Sequence, residues 1–194
     1  LMSVCAILLT FLLYRKFEAA ISFGYILCGL ILLVSMFGES NPSVTQLMPV
    51  LSSPLLRIHV VTIMLSYSLL AFVMLNGITA IILGYTRTDC HEQIIRLQII
   101  SHIILYPAVF LMAAGIFIGA IWANVSWGRY WGWDPKEVWA LITMLVYAAA
   151  LHPASLSSFR RPMRFHRFAV IAVLSVLVTY FGVNFIMGGM HSYA

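Results

Sequence analysis

"VVTIMLSYSLLAFVMLNGITAIILG", residues 60–84, runs for 25 residues without an Asp, Glu, Lys or Arg. About 20 such residues make an α-helix long enough to cross the roughly 30 Å hydrocarbon core of a bilayer. Arg57 and Arg87 stand just outside it on either side. The whole 194-residue chain shares this character: 62% hydrophobic, 9% charged, with a mean hydropathy of +1.00. A soluble domain of this size carries roughly 25% charge. The composition therefore predicts an all-α, polytopic transmembrane helix bundle.

Working outward from residues 60–84, the sequence divides into six apolar spans, near 1–14, 19–37, 60–84, 100–122, 136–152 and 168–187. The connections 15–18, 85–99 and 153–167 hold Arg15, Lys16, Arg87, Arg96, Arg160, Arg161, Arg164 and Arg167, eight of the eleven basic residues. The positive-inside rule assigns these to the cytoplasm. Connections 38–59 and 123–135 and the tail 188–194 then face outward, with Arg57, Arg129 and Lys136. The net charge of +5 is thus a statement about orientation, and nucleic acid is not an expected partner. No internal repeat or soluble module stands out, so residues 1–194 read as a single membrane domain. The chain starts inside an apolar run, and further spans are expected upstream. The basic pair Arg15-Lys16 follows that run, which argues against a signal peptide.

Cys5, Cys28 and Cys90 are scattered and form no CxxC, so thiol-redox chemistry and covalent c-type haem attachment to this chain are not indicated. The six histidines sort by topology. His59 falls at the outer mouth of the third span and His191 in the outer tail. His152 ends the fifth span near the inner face and His102 opens the fourth. His91 and His166 fall in the inner connections.

The tryptophans are sorted more sharply. Trp127, Trp131, Trp133 and Trp139 all lie in "WGRYWGWDPKEVWAL", residues 127–141, and Trp122 is just upstream. Interfacial belts also collect indoles, but a belt spreads over both faces of the membrane. Here every indole lies in or just beside one outer connection. Trp127 and Trp131 would share a face on a helical turn, and Trp131 and Trp133 on an extended stretch. Either way the loop offers a broad π surface suited to a large planar ligand. After it, Asp134-Pro135-Lys136-Glu137 reads as a helix start, with Asp134 at the N-cap, Pro135 at N1 and Glu137 at N3.

His59 and His191 sit on the same outer face as these indoles. Neutral imidazole is a standard axial ligand of haem iron, and two imidazoles from separate helices can clamp a macrocycle. Arg57, Arg129 and Lys136, the three basic residues outside the inner cluster, suit its propionates. Ordinary headgroup contact is the alternative for the same three. No nucleophile–base arrangement suggests a separate hydrolytic site.

"WGRYWGWDPKEVWALI" resembles the WWD signature of the haem-handling protein superfamily. "RIHVVTIMLSYSLLAF", "YAAALHPA" and "GVNFIMGGMHSYA" are similar to its CcsA branch, also called ResC, the system II cytochrome c biogenesis component. The likeness runs from about residue 50 to the end. It implies a component of a holocytochrome c synthase that works with a ResB/CcsB-type partner. Such proteins carry non-covalent haem b across the bacterial inner membrane or the thylakoid membrane and present it to the CxxCH motif of apocytochrome c. By the same resemblance, His59 and His191 match the outer axial pair. His152 matches a haem-iron ligand within the membrane. Trp122, Trp127, Trp131, Trp133, Asp134, Arg57, Arg129 and Lys136 surround the outer site. A b-type haem electron-transfer subunit is the alternative, although it would pair histidines within spans.

Overall fold

The computed structural model describes residues 4, 7, 8, 10, 11, 20–38, 53–183, 186 and 187. The first apolar run, most of the 38–59 connection, and the tail with His191 lie largely or wholly outside the described residues. Among those described there are helices and no strand. They are α1 Ala20–Gly38, α2 Pro54–Thr86, α3 His91–Trp127, α4 Pro135–Ala150 and α5 Pro162–Leu177. One π-helical turn, Val178–Gly182, continues α5.

Three of these segments are long and apolar enough to cross a membrane: Pro54–Thr86, His91–Trp127 and Pro162–Gly182. α2 and α3 have 33 and 37 residues, which at 1.5 Å per residue is about 50 and 55 Å, well beyond the bilayer core. They form an antiparallel hairpin joined by only four residues, Arg87 to Cys90. The sequence placed a connection at 85–99. The structure instead continues α3 back to His91, and Arg96 pairs with Glu92 one turn away at 3.9 Å on an exposed face. Hydropathy registers transfer into lipid, and helix propensity does not stop where the apolar window does. His91 therefore opens a helix. His166 is also corrected: it lies inside α5, fully buried, with its Nε2 3.1 Å from the Ile94 carbonyl oxygen of α3.

The core lies where α2, α3 and α5 meet, with α4 completing it. Phe72, Val73, Leu105, Met112, Tyr147 and Phe165 are all at most 1% exposed. On α3, Ile103, Tyr106, Phe110 and Phe117 recur at helical spacing and are exposed, as side chains facing acyl chains would be. Within the apolar core a few polar contacts join the helices. The Ser66 hydroxyl donates to the Ala108 carbonyl (2.8 Å), and the Asn76 amide to Ser101 Oγ (3.1 Å). The Thr143 and Thr179 hydroxyls meet at 2.8 Å. Such contacts fix register between surfaces that differ little in polarity from lipid.

The pairings put Pro54, Trp127, Pro135 and Gly182 at one end of the bundle, the tryptophan end. Thr86, His91, Ala150 and Pro162 lie at the other, together with Arg87, Arg96, Arg160, Arg161, Arg164 and Arg167. Close helix approach supports this geometry. A Cβ added at Gly77 of α2 would lie 2.9 Å from the His166 carbonyl oxygen of α5, which is backbone and cannot swing aside. Gly77→Ala is expected to destabilise the bundle by about 1–3 kcal/mol. A lowered Tm of the detergent-solubilised protein is the check; an unchanged Tm would show that α2 and α5 do not pack this closely.

Candidate functional site

The loop between α3 and α4 is built by its breakers. α3 ends at Trp127 because Gly128 takes a left-handed conformation (φ 72°), and its N–H closes on the Asn124 carbonyl at 2.9 Å. Trp127 and Trp131 therefore do not share one helical turn. Two pairs of indoles meet edge to face. Trp122 meets Trp127 with centroids 4.8 Å apart and planes at 72°, and Trp131 meets Trp133 at 6.0 Å and 88°. Within each of these pairs the rings stand nearly perpendicular.

Trp133 has φ 57°, unusual for a side chain of this bulk. Such a conformation costs on the order of 1–3 kcal/mol and persists only where neighbours enforce it. Glu137 is the neighbour that does so. Its carboxylate accepts the N–H of Gly132 at 2.8 Å and that of Asp134 at 3.2 Å, gripping both sides of Trp133. Asp134, 8% exposed, caps α4 in return by accepting the Lys136 N–H at 3.3 Å, with Pro135 in the first turn. The capping box expected from the sequence is present. It also fixes the shape of the tryptophan loop, a task for Glu137 that spacing alone did not reveal.

Beneath this loop is a cavity of about 420 Å³. α2 contributes His59, Met64 and Tyr67; α3 contributes Ile116, Gly119 and Trp122. The loop adds Tyr130 and Trp131, α4 adds Lys136 and Glu137, and the π-helical turn adds Thr179 and Tyr180. Thr179 anchors that turn by donating to the Ser175 carbonyl (2.7 Å) while lying 3.1 Å from the Trp139 carbonyl of α4. A second recess of about 560 Å³, almost wholly apolar, shares Tyr130 and Trp131 and lies between α3 and α4.

His59, half-buried in the second turn of α2, is the imidazole of the cavity wall. Its Nδ1 is 2.8 Å from the Gly115 carbonyl oxygen of α3. A carbonyl only accepts, so Nδ1 carries the proton in the neutral ring and Nε2 carries the lone pair.

The structure thus brings together His59, Trp122, Trp131 and Lys136 of the residues singled out in the sequence. Trp127 backs Trp122, and Asp134 supports the loop from behind. Trp133 is 76% exposed and outside the cavity wall. Arg129 lies over Gly132, where an added Cβ would come within 3.0 Å of its guanidinium, and Arg57 is exposed on the first turn of α2. Tyr67, Tyr130, Thr179, Tyr180, Gly115 and Gly119 join the site without a local sequence signal, because only packing brings their segments together.

His152 is at the opposite end of the bundle, just past α4 and exposed, with Nδ1 2.8 Å from the Ala148 carbonyl oxygen. The segment after it is held by Arg160, which donates to the Pro153 (2.9 Å) and Ala154 (3.3 Å) carbonyls. His102 is half-buried in α3 and stacks on Phe165 of α5 at 4.5 Å.

Protein NrfI of Wolinella succinogenes is 37% identical over 187 residues, covering 94% of this chain and 21% of that protein. Cytochrome c biogenesis protein CcsA of Chlamydomonas reinhardtii is 36% identical over 156 residues, covering 77% of this chain and 43% of the relative. CcsA of Gloeobacter violaceus is 48% identical over 85 residues, 43% of this chain and 24% of the relative. The chain spans less than half the length of each of these three. The family model for cytochrome c assembly proteins matches residues 1–191, nearly the whole sequence, and the chain belongs to that family.

Proposed function

We propose that this chain is the haem-handling membrane domain of a cytochrome c synthetase, which brings haem to the outer face of the membrane and presents it to apocytochrome c. One observation carries the reading: an imidazole whose Nδ1 faces a backbone carbonyl, in the wall of an aromatic cavity, under the tryptophan loop, at one end of a bundle of apolar helices. The cytochrome c assembly family, and the likeness to CcsA cytochrome c biogenesis proteins, support it. The residues present fit the cargo. His59 offers a nitrogen lone pair for the iron, Trp131, Trp122, Tyr67 and Tyr180 offer apolar walls, and Lys136 offers a cation to a propionate. Arg57 and Arg129 supply positive charge around the mouth.

In the full architecture six spans cross the membrane, with the arginine end in the cytoplasm and the tryptophan end outside. His191 supplies the second axial ligand from the outer tail. His152 takes up haem b, held non-covalently, on the cytoplasmic half, with a ResB/CcsB-type partner completing its coordination. Bis-imidazole ligation shields the iron from oxygen until the histidine of the CxxCH motif displaces one ligand. The chain's part is positioning; the porphyrin vinyl groups supply the reactive carbons. Each cysteine S–H adds across a vinyl C=C, the sulfur forming the thioether and the proton going to the other carbon.

The test uses the full-length protein with its natural partner, loaded with haem and reduced, and an apocytochrome peptide carrying CxxCH. Thioether-linked haem on the peptide is the expected product. Haem that is retained, or released without covalent attachment, would contradict the proposal.

A further inference from the structure

We infer that two glycines one turn apart on α3 form the seat of His59, and that Gly119 is a positioning residue for the iron-binding imidazole. This rests on the reading of His59 as a haem ligand. Gly115 contributes through its carbonyl, which fixes Nδ1 at 2.8 Å. Gly119 contributes by lacking a side chain. A Cβ there would lie 2.7 Å from His59 Cε1 and 2.8 Å from Nδ1, but 3.5 Å from Nε2. The Cε1–Nδ1 edge of the ring therefore occupies the space that a side chain at position 119 would take, and Nε2 is the ring nitrogen farther from it.

The two glycines do different work. A Cβ at Gly115 would meet Ile63, at 2.5 Å from its Cδ1, and not the imidazole. At Gly119 the three nearest atoms all belong to the His59 ring. The atoms nearest an added methyl there belong to a side chain that can rotate, while α3 is held in place by its packing on α2. The ring yields, the Gly115 hydrogen bond is lost, and Nε2 leaves its position. Outer-shell groups that orient a ligating histidine typically change metal affinity about 10–100-fold, and Gly119 acts on that scale by steric exclusion.

The experiment compares Gly119→Ala, His59→Gly and the double variant in the full-length protein with its partner. The readouts are the haem absorption spectrum, haem affinity and the Tm without haem. Gly119→Ala is expected to weaken haem binding about 10–100-fold and to convert low-spin haem to a partly high-spin form, with added imidazole restoring the low-spin spectrum. In the His59→Gly background the same substitution is expected to change little further, because the three atoms nearest the added methyl are gone. Should Gly119→Ala fail to fold alone yet fold with His59→Gly, the clash with the ring is likewise established. The proposal is overturned if Gly119→Ala keeps the normal spectrum and affinity while His59→Gly loses them, or if neither Gly119 variant folds. If His59→Gly itself leaves the spectrum unchanged, the ligand assignment fails first and the seat with it.

Discussion

His59→Ala is expected to abolish cytochrome c maturation and to lower haem retention by more than the roughly 10–100-fold that loss of an outer-shell partner costs. The substitution removes an iron ligand outright. It also removes the ring that fills the space beside Gly119 and satisfies the Gly115 carbonyl. The fold should tolerate the loss, because His59 is in the second turn of a 33-residue helix whose buried positions begin at Ile63. Covalent c-type haem in cells carrying the variant measures the effect. Maturation at the normal level would contradict the role given to His59.

His152→Ala is expected to leave the outer site starved of haem in cells, by about tenfold or more, while purified protein still takes up added haem at His59. The prediction follows from the length of α4. Its 16 residues span about 24 Å, short of the roughly 30 Å hydrocarbon core. If Asp134 marks the outer boundary, His152 falls near the inner edge of the bilayer and not in the cytoplasm beyond it. Its Nδ1 faces the Ala148 carbonyl, which leaves the lone pair of the neutral ring on Nε2. Haem content of the protein as purified, compared with its capacity after reconstitution, separates delivery from binding. Full loading of the variant in cells would mean that haem reaches the outer site by another route.

Much of the helical plan was legible because the apolar runs are long and breakers mark their ends. The start of α4 at Pro135 could be read to the residue, since Asp134 and Glu137 form a local motif whose partners are three residues apart. The long helices were less legible. α3 carries Glu92 and Arg96 in its first turns, and those charges look like a loop to a hydropathy scale although they suit an exposed helical face. His166 was misplaced for the same reason. Its neighbours Arg164 and Arg167 are exposed, while the histidine itself turns inward to α3.

The site divides in the same way. That the indoles belong to one end of the bundle was plain from their clustering. Their arrangement was not, because it depends on two left-handed residues, Gly128 and Trp133, and on a carboxylate that reaches back over the loop. Gly119 is adjacent to His59 only once α2 and α3 are paired, 60 residues apart in the chain. No spacing rule finds such a residue, since what it supplies is room.

On the proposed function, an imidazole from α2 ligates haem at the tryptophan end of the bundle. The most direct measurement is the visible spectrum of the reduced, full-length protein purified with its partner, wild type beside His59→Ala. A sharp low-spin bis-histidine spectrum in the wild type, lost in the variant and restored by added imidazole, is the predicted result. An identical low-spin spectrum in both proteins would contradict it.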